Sequence, residues 1–184
     1  MIAGLASPAT DSARGFRILM QAMARPGTLH DLRLVDPPAP LGAAQASVLL
    51  LLADPSTALH LAGPADHAPV RDWIRFHTGA ALTPAARAQL ALGRWRDLLP
   101  LDRFDIGLPD YPDRSATLIV ELERLEADGA RLTGPGIRDH ARLSLPGTAP
   151  VGANRALFPM GLDFIFTCGD RLACLPRSTV VEDV

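Results

Sequence analysis

"LDFIFTCGDRLACLP", residues 162–176, consists of two apolar runs divided by Gly169-Asp170. Two such runs joined by a glycine-containing pair predict a β-hairpin with a two-residue turn. With Gly169 and Asp170 in the turn, Cys168 lies opposite Arg171 and Cys174 opposite Ile165. The offset is odd, so the two sulfurs face opposite sides of the sheet and a disulfide between them is not expected. Neither cysteine belongs to a C-x-x-C pair, and both read as free thiols of a reducing compartment.

The same reading extends upstream. "TLIVELERL" at 117–125, the turn "EADGA" and "RLTGPGI" at 131–137 predict another hairpin. In Gly134-Pro135-Gly136 the proline removes one of the N–H groups that a phosphate cradle needs. Proline second and glycine third instead mark a type II turn, with positive φ at Gly136. Closer to the start, residues 11–25 place Phe16, Leu19, Met20 and Met23 at helical spacing and stop at "RPG". "LHDLRL" at 29–34 reads as a short strand. A helix over 42–53 is apolar all round at Val48–Leu52, as buried helices are. "STALHLAG" reads as a strand and "DHAPVRDWIRFHTGA" as a helix closed by Gly79. Residues 84–100 stay open between helix and strand. Helices and strands interleave first and hairpins follow, which predicts one α/β domain over 1–184, a sandwich with a mixed sheet.

Composition sets limits on function. The chain has 184 residues, net charge −2, seventeen prolines and fifteen glycines. No basic field suggests nucleic acid, and the breakers argue against a plain helical bundle. The N-terminus lacks a basic and apolar leader, and "ASVLLLLA" is far shorter than a bilayer span, so a soluble, cytoplasmic protein is expected. All eighteen basic residues are arginine. Without lysine there is no Schiff base to a carbonyl and no Gly-Lys-Ser/Thr phosphate loop.

The five histidines show no metal-ligand spacing, and no G-x-S-x-G elbow is present. His77 completes a set with Val70, Trp73 and Ile74 in the last turn of its helix. It reads either as a hydrogen-bonded core histidine or as a substrate or acid-base group. Arg71 and Arg75 share the other face, where they either grip an anion or are simply solvated. Asp163 opens an apolar strand and Arg177 closes the return strand, and both are positions where sites are built or where sheets meet water.

Six stretches in order, "FRILMQAMARPG" (16–27), "SVLLLLAD" (47–54), "RFHT" (75–78), "LTGPGI" (132–137), "FPMGLDFIFTCGDRL" (158–172) and "LPRSTVVE" (175–182), resemble the PhnH subunit family of the bacterial carbon-phosphorus lyase system. The resemblance covers essentially the whole chain, least well at 84–116, and Ser178 stands where the family usually has threonine. It implies a three-layer α/β sandwich with a mixed β-sheet, similar to pyridoxal-phosphate-dependent transferases but without the cofactor site, so no cofactor is expected. It implies work with PhnG, PhnI and PhnL to make α-D-ribose 1-methylphosphonate 5-triphosphate from ATP and methylphosphonate with loss of adenine. A core complex with PhnG, PhnI and PhnJ, and a homodimer, are also implied. Such a protein is a component of a multi-subunit transferase that is inactive alone, or an assembly and binding subunit with no chemistry of its own. No catalytic residue carries over. The matching positions suited to a polyanionic substrate are Arg75, His77, Arg155, Asp163 and Arg177, with Arg17 equally readable as a helix-face residue.

Overall fold

The computed structural model describes residues 4–182. Its first half runs α1 (Pro8–Ala24), β1 (His30–Asp31), α2 (Ala43–Leu52), β2 (Ala58–Leu61), α3 (Ala68–Thr78), β3 (Ala81–Leu82), β4 (Leu90–Arg94) and α4 (Trp95–Leu98). The second half runs β5 (Thr117–Glu121), β6 (Ala130–Thr133), β7 (Ala141–Leu143), α5 (Thr148–Arg155), β8 (Asp163–Cys168), β9 (Arg171–Leu175) and β10 (Val180–Glu182). The α/β expectation is met by a seven-stranded mixed sheet, ordered β1-β9-β8-β5-β4-β2-β3, beside a three-stranded antiparallel sheet, β10-β6-β7. No helix among the described residues is long and apolar enough to cross a membrane.

Strands β3, β2, β4, β5 and β8 run parallel, and β9 returns antiparallel to β8. Parallel strands covered on both faces read as continuous apolar runs, as "TLIV" and "FIF" do. Alternate residues divide between two cores. Ile119, Ile165, Leu172 and Cys174 pack with Leu19, Val48, Leu49, Val70, Trp73 and Ile74 from α1, α2 and α3. Leu118, Val120, Phe164, Phe166, Ala173 and Leu175 pack on the other face with Leu98, Leu132, Leu143 and Val151 from α4, β6, β7 and α5. Helices thus cover one face, and short helices with the small sheet cover the other. The Phe164 and Phe166 rings stack 5.6 Å apart at 2°.

The hairpin at 162–176 has the register expected, Cys168 opposite Arg171 and Ile165 opposite Cys174. Cys174 is buried in the first core while Cys168 packs against the second, and both are free. Gly79 closes α3 in the left-handed conformation, with φ 68°. The open stretch 84–100 contains β4, an interior strand, followed by α4. The strand read at 29–34 shortens to His30–Asp31, since Leu32 donates to the Asp170 carbonyl (2.8 Å) beyond the end of the pairing.

Two expectations are corrected. Residues 117–125 and 131–137 do not pair as a hairpin. Strand β5 has both edges occupied by β4 and β8, and β6 instead pairs with β7 and β10 in the other sheet. The stripe Phe16-Leu19-Met20-Met23 is only half buried: Phe16 is 46% and Met20 58% exposed. Helix α1 buries Gly15, Leu19 and Ala22. That small-residue stripe brings it so close that a Cβ on Gly15 would stand 2.7 Å from Leu34 Cδ1.

Gly134-Pro135-Gly136 is a turn. The Ile137 amide donates to the Gly134 carbonyl (3.1 Å), and Gly136 has φ 81°. A Cβ on Gly136 would also run into the Ala24 carbonyl oxygen at the end of α1. Backbone strain at a positive φ costs about 1–3 kcal/mol for a non-glycine residue. Gly136→Ala is therefore expected to lower stability by at least about 1 kcal/mol, read as a fall in the urea midpoint at unchanged slope.

Candidate functional site

In open sheets with parallel strands, ligands settle in the crevice beyond the carboxyl ends, where the order of connection reverses. Here β3 lies on one side of β2 and β4 on the other, so the reversal falls between β2 and β4. The last residues of β4 and β5 are Arg94 and Glu121. Both line a cavity of about 390 Å³ together with Trp95, Arg96, Leu122, Glu123, Arg124, Ser144, Leu145 and Pro146. Both also line a smaller pocket of about 70 Å³ that reaches Leu41, Gln45, Gly93 and Ala62 after β2; this one lies at the reversal, with the larger cavity beside it beyond β4 and β5.

Glu121 is half-buried, and burial pushes its carboxyl above the ordinary carboxylate range. Two donors pull the other way: the Gly169 amide to Oε1 (3.1 Å) and the Thr167 hydroxyl, 2.5 Å from Oε2. Thr167 Oγ1 also lies 3.3 Å from the Val120 carbonyl. The carboxyl also sits against the start of α2, where a Cβ on Gly42 would stand 2.6 Å from Oε1. Buried Gln45 donates to the carbonyls of Gly93 and Ile119 (3.4 Å each) and fixes the floor. Arg94 is held by Asp97 (Nε to Oδ2, 2.8 Å). The cavity has the size of a small-molecule site and carries two carboxyl groups, Glu121 and Glu123.

The residues singled out in the sequence lie elsewhere. Asp163 and Arg177 meet, with side chains 17% and 14% exposed. The carboxylate accepts from the Arg177 amide (2.8 Å), Nε (3.1 Å) and Nη2 (2.5 Å). Nη2 also donates to Ser115 Oγ, and Nη1 to the Pro112 carbonyl, at 2.5 Å each. Nearly every N–H of the guanidinium is engaged, and the pair locks the amino end of β8 to the segment before β5.

Arg71 and Arg75 do share a surface, a cavity of about 410 Å³ also lined by His60, Asp66 and Thr83. Asp66 holds Arg71 (2.6 Å), and that guanidinium lowers the carboxyl of Asp66; Arg75 has no ion pair with any described residue. The Thr83 hydroxyl is buried there without a partner among the described residues. His77 is half-buried, against Trp73 (ring centroids 5.1 Å apart) and Phe76 (4.9 Å). Arg155 stacks over Phe158 (4.8 Å), with its buried Nε unpartnered among the described residues. Arg17 is exposed on α1. Arg75 and His77 belong to α3, over one face of the sheet, and Arg155 to α5, over the other. Glu121 and Arg94 were missed by sequence reasoning, although a charged residue ending an apolar strand is the mirror of the Asp163 signal.

Removing one partner of a buried ion pair leaves a charge uncompensated, at a cost of about 3 kcal/mol or more. Asp163→Asn is expected to destabilise the chain by roughly that amount. The double variant Asp163→Asn, Arg177→Met should lose less than the sum of the single losses, as a double-mutant cycle in urea will show.

The family described as "Bacterial phosphonate metabolism protein (PhnH)" matches residues 3–182, and the chain belongs to that family. Among its relatives is the α-D-ribose 1-methylphosphonate 5-triphosphate synthase subunit PhnH of Rhizobium meliloti (strain 1021). The two are 38% identical over 186 residues, covering 96% of this chain and 93% of the relative. A second, from Stutzerimonas stutzeri and named as a C-P lyase subunit protein, HtxG, is 34% identical over 173 residues, covering 91% and 84%.

Proposed function

We propose that this chain is a subunit of the carbon-phosphorus lyase system. In this reading it contributes, with PhnG, PhnI and PhnL, to forming α-D-ribose 1-methylphosphonate 5-triphosphate from ATP and methylphosphonate, with adenine as leaving group. PhnJ joins the core complex. The observation that carries this is the match along nearly the whole length of a relative named as a subunit of that synthase. A cytoplasmic location belongs to the same reading and is supported by the two free cysteines. So does a likeness to pyridoxal-phosphate-dependent transferases, supported by the mixed sheet covered on both faces. With no lysine in the sequence, the Schiff base of those enzymes has no residue to form on. Of the five proposed substrate contacts, Arg75 and Arg155 keep N–H groups for an incoming anion, while His77 lies against Trp73 and Phe76 on another side of α3 from Arg75. Asp163 and Arg177 act through the fold, holding the strand end in place.

Mixing the purified chain with its partner proteins, ATP and methylphosphonate should release adenine and form the ribosyl phosphonate triphosphate. If omitting this chain leaves the rate unchanged, the catalytic-subunit reading is lost. An assembly role is the second reading, and the internal engagement of Asp163 and Arg177 favours it. Under that reading the complex forms with the chain, and substituting Arg75 or Arg155 leaves turnover intact.

We also propose a homodimer formed through α1. Exposed Phe16 and Met20 border an apolar groove of about 510 Å³ with Leu19, Met23, Leu52 and Ile165. Light scattering should give twice the mass of 19.6 kDa. Met20→Glu, at an exposed position, should halve that value; a monomeric parent chain would sink the proposal.

A further inference from the structure

We propose that the crevice beyond β4 and β5 binds a ring-bearing organic anion with a single phosphonate- or phosphate-type head group, its ring against Trp95 and its head group held by Arg96. The shape supplies the first argument. The cavity of about 390 Å³ lies within the range of small-molecule sites and combines apolar walls with a few polar groups. The indole of half-buried Trp95 rests against Phe164 (centroids 6.2 Å apart) and Phe166 (6.5 Å), which fix its position. Leu122, Leu145 and Pro146 line the same cavity. A flat ring slipped between an anchored indole and aliphatic walls gains stacking and burial together.

Charge decides the head group. Three guanidiniums line the crevice, but Arg94 is paired with Asp97 and Arg124 with Asp128. Arg96 is 68% exposed, and its one carboxylate neighbour, Asp97, is 4.0 Å away and already bonded to Arg94. Glu121 and Glu123 oppose any further negative charge. The balance leaves one guanidinium for one anionic group and disfavours a triphosphate.

The inference stands on the crevice alone and is tested on the isolated full-length chain, so reconstitution of the complex does not decide it. The chain has two tryptophans, and the other, Trp73, is buried in the core under α3. In a Trp73→Phe background the emission is that of Trp95. Phenylphosphonate and phenyl phosphate should both quench it saturably, and a preference for one identifies the head group. Inorganic phosphate and benzyl alcohol should each bind at least about tenfold more weakly, and Arg96→Ala should cost about tenfold. Calorimetry of the unaltered chain against Arg96→Ala, an exposed substitution, gives the same comparison if Trp73→Phe does not fold. Non-saturating quenching, binding indifferent to Arg96→Ala, or ATP binding more tightly than phenylphosphonate would each overturn the assignment.

Discussion

The in-register parallel pairing of β5 with β8 is the constraint on which the rest of the molecule depends. Thr117 lies opposite Asp163 at one end and Glu121 opposite Thr167 at the other. Between them, Leu118, Ile119 and Val120 meet Phe164, Ile165 and Phe166, all fully or almost fully buried, and feed both cores alternately. A slip of one residue would turn each of these side chains to the opposite core. The same slip would part Glu121 from the Thr167 hydroxyl and carry Asp163 away from the Ser115 and Arg177 cluster. Core, clamp and crevice therefore follow from one register.

Much of this was legible locally. The hairpin at 162–176 could be read because a two-residue turn and a side-chain period of two fix its register without distant information. That register even implies the clamp, since Phe164 opposite Leu175 places Asp163 across from Pro176, next to Arg177. The pairing of β5 was not legible in the same way. Its neighbours come from distant segments, and the absence of alternation in "TLIV" was the available sign of an interior parallel strand rather than half of a hairpin. On α1, apolar spacing pointed to Phe16 and Met20, whereas close packing selected the small residues Gly15 and Ala22. The crevice was least visible: Arg94 and Glu121 come from strands whose adjacency only the fold reveals.

The chain's reliance on arginine shapes how it can handle anions. Arg33, Arg71, Arg94, Arg124, Arg131, Arg171 and Arg177 each lie against a carboxylate. Most of these pairs are exposed and add little stability, but each withdraws a guanidinium from solvent-borne ligands. Among the arginines without a close carboxylate, Arg75 on α3 and Arg155 on α5 lie over opposite faces of the sheet, and Arg96 has only the long 4.0 Å approach to Asp97. A protein organised in this way meets anions at discrete points rather than through a broad positive field.

The seven-stranded sheet ends on both sides in strands of only two residues, β1 and β3, and the small sheet ends in strands of three, β7 and β10. So short an edge exposes little backbone ladder on which a foreign strand could template itself. Association must then be written in side chains on helix faces and loops, where a single substitution can redirect it. Backbone hydrogen bonding, which accepts almost any sequence, is left with little part in choosing what this chain joins.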